Sequence, residues 1–252
     1  MKFENTEVWG FEHSLRGLRN PLASWERSDS DFDEYFDIVK GDIAPSKLLK
    51  SCPSAHVHHN NENGYYADVI GEADLNLAQR LIKSGNEHRK FMRQIFVSVD
   101  ITAPLYWWKE FDTYKIGTTS NSTSTMHKLA STPITIECFE IDDYDESLVT
   151  TLKDIDDGVW TFFSSEEPLS IIDWLESLRV MYNETKDKRY WKELIRWLPE
   201  SWLQTRTITM SYENVRNMYF QRKNHKLTEW SKSFIEWVES LPYAKELIMY
   251  EG

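Results

Sequence analysis

The chain has 252 residues, enough for one large domain or two small ones with a sizeable buried core. Its 41 acidic and 29 basic residues give a net charge of -12, which disfavours non-specific binding to duplex nucleic acid, because such binding needs a basic face. Two cysteines are too few for a disulfide framework or a four-thiolate zinc site, and no apolar run is long enough to span a membrane. We therefore expect a soluble, cytoplasmic protein without nucleic-acid or membrane partners.

Aromatic residues are abundant, with 11 Trp, 12 Tyr and 12 Phe. A core rich in large rings is the simpler interpretation. The alternative is that some rings anchor a flat ligand or a subunit interface.

Three patterns organise the first half of the chain. Apolar residues at helical spacing after acidic ones predict a helix over residues 29–39. An amphipathic pattern predicts a helix over 72–84, ended by Gly85. Alternation over 91–101 predicts a strand, and Thr102 is then expected to cap a helix with Pro104 in its first turn.

A histidine cluster lies in a polar stretch, residues 51–64, that is predicted to be a loop. His56, His58 and His59 could share a metal ion if two of them lay on one strand. The many asparagines and the lack of a nearby Cys or carboxylate at a familiar spacing favour a solvated loop. We therefore expect no metal site.

The stretch 117–125 reads G-T-T-S-N-S-T-S-T and contains no apolar side chain. Hydroxyls and exposed backbone N–H groups can surround a phosphate without a positive net charge. Lys115, His127 and Lys128 flank the stretch with further donors. A phosphate-holding loop and an ordinary surface linker are both compatible with this composition.

The second half is predominantly helical in pattern. Helices are predicted over 147–155, 169–182 and 191–198, followed by a strand over 203–210 and a helix that Ser211 caps. A last helix carries Trp230, Phe234, Trp237 and Val238. No repeat or long linker marks a domain boundary, so we predict a single α+β domain over residues 1–252, with helices dominant.

Arg222 begins a basic run, residues 222–226, at a predicted helix end. Cations there suit the helix dipole and need no further role. A guanidinium in the same place could also grip a phosphate or carboxylate through two hydrogen bonds.

Several short motifs occur in a familiar order. Ser84, Glu87, His88 and Phe91 fit the pattern S-x-x-E-H-x-x-F, and Ala103-Pro104 follows a strand. Further along come Arg196, Leu198-Pro199, Asn217 and Arg222. In this order and spacing the chain resembles the flavin-dependent thymidylate synthases, the ThyX family, over roughly residues 84–129 and 190–240. The resemblance implies a ThyX-like central antiparallel sheet wrapped by helices.

The family signature R-H-R-x-x-S-x-N-E-x-S-x-R is altered in this chain. In the same register the chain reads T-Y-K-I-G-T-T-S-N-S-T-S-T, residues 113–125. Three arginines and a histidine are thus replaced by Thr113, Lys115, Thr125 and Tyr114. Lysine is a point charge and does not reproduce the two-pronged grip of arginine on a phosphate.

With function retained, the resemblance implies methylation of dUMP to dTMP. Methylenetetrahydrofolate would supply the carbon, and FAD reduced by NADPH would supply the hydride. The resemblance implies FAD contacts for three residues and nucleotide contacts for five, with Arg222 also catalytic: His88, Lys115 and Asn217 for FAD, and Ser120, Asn121, Thr123, Arg196 and Arg222 for the nucleotide. It also implies a homotetramer with its sites between subunits.

Two alternatives stay open at this point. The altered signature favours a ThyX-fold, nucleotide-binding homo-oligomer that has lost flavin and catalysis. An unrelated helical interaction protein is the other alternative. The sequence therefore leaves open whether the protein is an enzyme.

Overall fold

The structure, a computed structural model, describes residues 1–37, 56–59, 64–143 and 171–252. The predicted helix over 147–155 lies outside the described residues. So does most of the polar stretch 51–64, but its described residues His56–His59 form a strand and not the predicted loop.

Seven strands of the described residues form two sheets. They are β1 (Lys2–Trp9), β2 (Asp31–Asp37), β3 (His56–His59), β4 (Gly64–Val69), β5 (Phe96–Pro104), β6 (Thr118–Ser122) and β7 (Leu203–Ser211). Four of them make an antiparallel sheet in the order β1-β5-β7-β6. The other three make an antiparallel sheet in the order β2-β4-β3.

Helices account for most of the remaining described residues. The α-helices are α1 (Phe11–Arg19), α2 (Glu72–Lys83), α3 (Leu105–Phe111), α4 (Thr125–Lys128), α5 (Ile171–Thr185), α6 (Lys188–Arg196), α7 (Tyr212–Arg222) and α8 (Ile235–Glu239). Two π-helical segments, Glu229–Phe234 and Ala244–Ile248, follow α7 and α8. The predicted α+β class is confirmed. The predicted helices over 72–84, 169–182 and 191–198 correspond to α2, α5 and α6, and the helix predicted after Ser211 corresponds to α7. The strand predicted over 203–210 corresponds to β7.

The chain divides into two compact units. The first unit comprises Met1–Lys2, Ile101–Thr113 and Asn121–Thr207, and the second comprises Phe3–Asp100, Tyr114–Ser120 and Ile208–Gly252. A core of Leu129, Ile134, Phe139, Leu175 and Leu194 lies in the first unit. The single domain over 1–252 stays a prediction.

The strand predicted over 91–101 begins only at Phe96, since Lys90–Arg93 form a 3-10 helix, and from Ile95 on the chain follows the predicted alternation. Ile95, Val97, Val99 and Ile101 are each at most 1% exposed, while Ser98 and Asp100 between them are half-buried. The expected cap at Thr102 is wrong, because β5 continues to Pro104 and α3 begins only at Leu105. The Thr102 hydroxyl instead pairs with the Thr205 hydroxyl at 2.7 Å, an interaction across strands that local sequence does not reveal.

The predicted helix over 29–39 is also wrong, because residues 31–37 form strand β2. This strand pairs with β4 in antiparallel register, with Asp31 opposite Val69 and Asp37 opposite Gly64. Short apolar patterns are compatible with either state, and pairing with a partner far along the chain decides between them.

No described helix is both long and apolar enough to cross a bilayer. Among the described residues, no three His, Cys, Asp or Glu side chains are arranged to hold a metal ion.

Helix α7 begins as the sequence predicts. Ser211 is extended (φ -91°, ψ 161°), and its Oγ accepts a hydrogen bond from the backbone N–H of Asn214. Ser211 Oγ also donates to Asn214 Oδ1 at 2.6 Å. Tyr212, Val215 and Met218 are fully buried, so the cap determines where a core-facing helix starts.

We predict that Ser211→Ala lowers the free energy of unfolding by about 1 kcal/mol, because the first turn of α7 loses its side-chain acceptor. Urea denaturation followed by circular dichroism measures this change. Ser231→Ala is the matched control, since Ser231 Oγ donates to a carbonyl of the preceding turn at 3.2 Å and caps no helix. Equal losses in the two variants would contradict the capping role.

Candidate functional site

Arg222, the last residue of α7, is held by a hydrogen bond and two aromatic rings in the second unit. Its Nε donates to Tyr114 Oη at 2.8 Å. The guanidinium carbon lies 4.8 Å from the ring centre of Trp230 and 5.5 Å from that of Tyr114. Trp230 is fully buried and Arg222 is half-buried. The charged group is therefore supported on a fixed aromatic surface.

The segment containing Tyr114 runs along one face of α7. Tyr114 Oη donates to Gln221 Oε1 at 2.9 Å, and Asn214 Nδ2 donates to the carbonyl of Ile116 at 2.6 Å. At about 100° per residue, Asn214, Asn217 and Gln221 share this face, with Asn217 between the two anchors. Lys115, midway along the segment, and Asn217 are both exposed.

The structure thus brings three of the predicted residues, Lys115, Asn217 and Arg222, to one surface of the second unit. We call this surface the α7 patch and define it by Tyr114, Lys115, Asn217, Gln221 and Arg222. It carries two cations and two side-chain amides, and these groups suit a phosphate or the carbonyls of a base.

The start of β6 adjoins the α7 patch in sequence. Gly117 has a left-handed backbone (φ 74°), and a Cβ there would lie 3.1 Å from Asn214 Oδ1. The next residue, Thr118, has a buried Oγ1 with no hydrogen-bond partner among the described residues. Ser120, also in this unit, is exposed. A buried hydroxyl without a protein partner, next to a backbone turn in close contact with Asn214, is suited to form a hydrogen bond with a ligand.

The stretch 117–125 does not form the loop that its composition suggested. Residues 118–122 form β6, at one edge of the four-stranded sheet, and α4 begins at Thr125 with Ser124 as its cap. The Thr-rich composition suits a strand because β-branched side chains favour it. Donors on this stretch are therefore presented by a sheet edge and not by a wrapping loop.

Three predicted nucleotide residues belong to the first unit. Asn121 and Thr123 are exposed, and the carbonyl of Thr123 accepts from Gln204 Nε2 at 2.9 Å. Thr123 lines a cavity of about 480 Å³ whose wall includes Thr102, Ser124, Thr125, Thr132 and Lys128. Arg196 is exposed at the end of α6, where it pairs with Glu193, and does not line this cavity.

His88 is exposed in a turn beside α7. Its backbone N–H donates to the carbonyl of Gly85 at 3.0 Å. The next residue, Arg89, forms an ion pair at 2.9 Å with Glu213, which precedes Asn217 by one turn of α7. Burial lowers the pKa of Arg216 on the same helix, and the positive charge of Arg89 lowers this pKa further. Arg89 therefore attaches the segment that contains His88 to α7, one helical turn before Asn217.

The sequence reasoning did not assign site roles to Tyr114, Gln221 or Trp230. Tyr114 occupies the histidine position of the ThyX signature, so the resemblance could have directed attention to it. No sequence signal links Tyr114 with Arg222, which lies 108 residues further along the chain.

Comparison with known structures identifies the fold of this chain. No protein-family model matches the chain, and no curated protein matches it by sequence. Two crystal structures of flavin-dependent thymidylate synthase ThyX from Helicobacter pylori, both with FAD and dUMP, match 100% of this chain and 98% of their own. Their TM-scores are 0.58, and their sequence identities are 15% and 16%. The chain has a ThyX-like fold, and the predicted fold is confirmed.

We predict that Gly117→Ala lowers the free energy of unfolding by about 1–2 kcal/mol or more, because alanine disfavours a left-handed backbone and its Cβ crowds Asn214. Chemical denaturation measures the loss. Gly85→Ala is the matched control, since Gly85 has φ 100° but no atom within 4 Å of an added Cβ. A loss at Gly117 no larger than at Gly85 would mean that the contact with Asn214 is unimportant.

Proposed function

We propose that this chain is a divergent ThyX-type enzyme that methylates dUMP to dTMP. In this proposal methylenetetrahydrofolate provides the carbon, and NADPH provides the hydride through FAD. The α7 patch carries the proposal, because it gathers Lys115, Asn217 and Arg222, which the ThyX resemblance assigns to FAD and nucleotide. The whole-chain likeness to two ThyX structures with FAD and dUMP supports it.

Arg222 has the chemistry of a nucleotide contact. Its hydrogen bond to Tyr114 and its position on Trp230 hold the guanidinium before a ligand arrives. A side chain that is already ordered loses less conformational entropy on binding, which favours affinity. In the proposal Arg222 positions the pyrimidine nucleotide and stabilises negative charge that develops during methylation.

The donors of the second unit fit the anionic part of FAD. A diphosphate accepts hydrogen bonds, and this unit offers the Lys115 ammonium, the Asn217 amide and the unpartnered Thr118 hydroxyl. His88, in the turn next to α7, is the remaining proposed FAD contact. When bound, FAD supplies the hydride carrier, which no amino-acid side chain provides.

The first unit contributes Asn121, Thr123 and Arg196 to the proposal. Ser120 in the second unit and Asn121 in the first lie next to each other in sequence on β6, and Thr123 follows. The proposal keeps these three residues and Arg196 as nucleotide contacts. It also keeps the homotetramer with shared sites and the cytoplasmic location.

A second candidate is a nucleotide-binding homo-oligomer of the same fold without flavin or catalysis. Tyr114 favours it. This residue stands where the ThyX signature has histidine, and its hydroxyl is bonded within the chain to Arg222 and Gln221. The nucleotide would then use the same α7 patch.

We predict that the purified protein shows flavin absorbance bands or binds added FAD saturably. We also predict that it releases tritium from 5-tritiated dUMP only when FAD, NADPH and methylenetetrahydrofolate are present. Spectrophotometric titration and the tritium assay measure these properties. Binding of dUMP without FAD binding would support the second candidate, and binding of neither ligand would contradict both.

We predict that Arg222→Ala weakens dUMP binding by roughly 1.5–3 kcal/mol, the scale of a hydrogen bond to a charged group. Isothermal titration calorimetry measures the affinity. Lys226→Ala is the control, because it removes an exposed positive charge from the same basic run, after the end of α7, and leaves the ring contacts intact. Similar losses in both variants would indicate general electrostatic attraction and not a contact by Arg222.

A further inference from the structure

We propose that Tyr114 and Gln221 are positioning residues that orient the Arg222 guanidinium toward the nucleotide. The inference rests on the proposed function, because it concerns how the same patch recognises dUMP. Neither residue is assigned a role by the ThyX resemblance, which has histidine at position 114.

The hydrogen bonds run in one direction through the three side chains. Arg222 Nε donates to Tyr114 Oη at 2.8 Å, and Tyr114 Oη donates to Gln221 Oε1 at 2.9 Å. Arginine can only donate, and a carbonyl oxygen can only accept, so the phenol proton is committed to Gln221. Its lone pair is then available to the Nε–H group of Arg222.

The Nε–H bond fixes the plane of the guanidinium because this bond lies in that plane. Trp230 supplies a second constraint, with its ring centre 4.8 Å from the guanidinium carbon. The rings of Tyr114 and Trp230 meet edge to face, with centres 6.3 Å apart and planes inclined at 62°. Arg222 is therefore constrained in both direction and tilt.

The three hydrogen-bonded side chains lie toward the surface. Gln221 is exposed, and Tyr114 and Arg222 are only half-buried. Hydrogen bonds in such positions add little to the stability of the fold, since water replaces them readily. An effect of the Tyr114 hydroxyl should therefore appear in ligand affinity more than in unfolding.

The test measures dUMP affinity by calorimetry in the full-length protein and in Tyr114→Phe, Arg222→Ala and the double variant. Phenylalanine keeps the ring and removes the hydroxyl. We expect Tyr114→Phe to weaken binding about three- to tenfold, and to have no further effect once Arg222 is alanine. Gln221→Ala, which removes the acceptor of the phenol proton, should also weaken binding.

Tyr212→Phe is the matched control. Its hydroxyl donates to the carbonyl of Pro242 at 2.8 Å, in the same unit but away from Arg222. This variant should lose stability while keeping its affinity for dUMP.

A ligand-free measurement separates the two proposals. In the ¹⁵N-labelled protein, hydrogen exchange of the Arg222 Nε–H group should be slow, and it should become faster in Tyr114→Phe. If the wild type binds no dUMP, the proposed function is wrong and the inference falls with it. If Arg222→Ala weakens binding but Tyr114→Phe changes neither affinity nor exchange, only the inference is overturned. Additive losses in the double variant would overturn it as well.

Discussion

The amide of Asn214 is the contact on which the candidate site depends. Its oxygen accepts from Ser211 Oγ, which caps α7, and its nitrogen donates to the carbonyl of Ile116. One side chain therefore fixes both the start of the helix and the path of the chain that enters β6. Gly117 belongs to the same arrangement, since a Cβ there would crowd this amide. Together with the hydrogen bonds of Tyr114 to Gln221 and Arg222, this contact fixes residues 114–117 along α7.

Two arginines that adjoin α7 are held in different ways. Arg89 pairs with the buried carboxylate of Glu213, so each charge is compensated by the other. Arg222, by contrast, donates to the Tyr114 hydroxyl and lies over the Trp230 ring, and these two neutral groups orient its guanidinium. The first arrangement fixes the turn after His88, and the second fixes the direction of the guanidinium at the α7 patch.

Local patterns predicted those parts of the structure that local interactions determine. The alternation in β5 and the Ser211 cap of α7 needed only neighbouring residues, and both are present. Strand β2 was mistaken for a helix because its pairing with β4 joins residues about 30 positions apart. The cap at Thr102 failed for the same kind of reason, since Thr205 engages its hydroxyl. The predicted residues Lys115, Asn217 and Arg222 lie on one surface, where Tyr114 contacts Gln221 and Arg222 across a distance in sequence that no spacing rule covers.

The ThyX-like fold and the altered signature are compatible because they depend on different atoms. The fold at the α7 patch rests on the Ser211 cap, the Asn214 amide, the turn at Gly117 and the buried face of α7. None of these interactions involves the side chain of Lys115, Ser120 or Asn217, which are exposed. Exposed donors can therefore change without a cost in folding, while the backbone positions that present them are kept. A chain at 15% identity to ThyX can therefore keep the fold while these exposed donors differ.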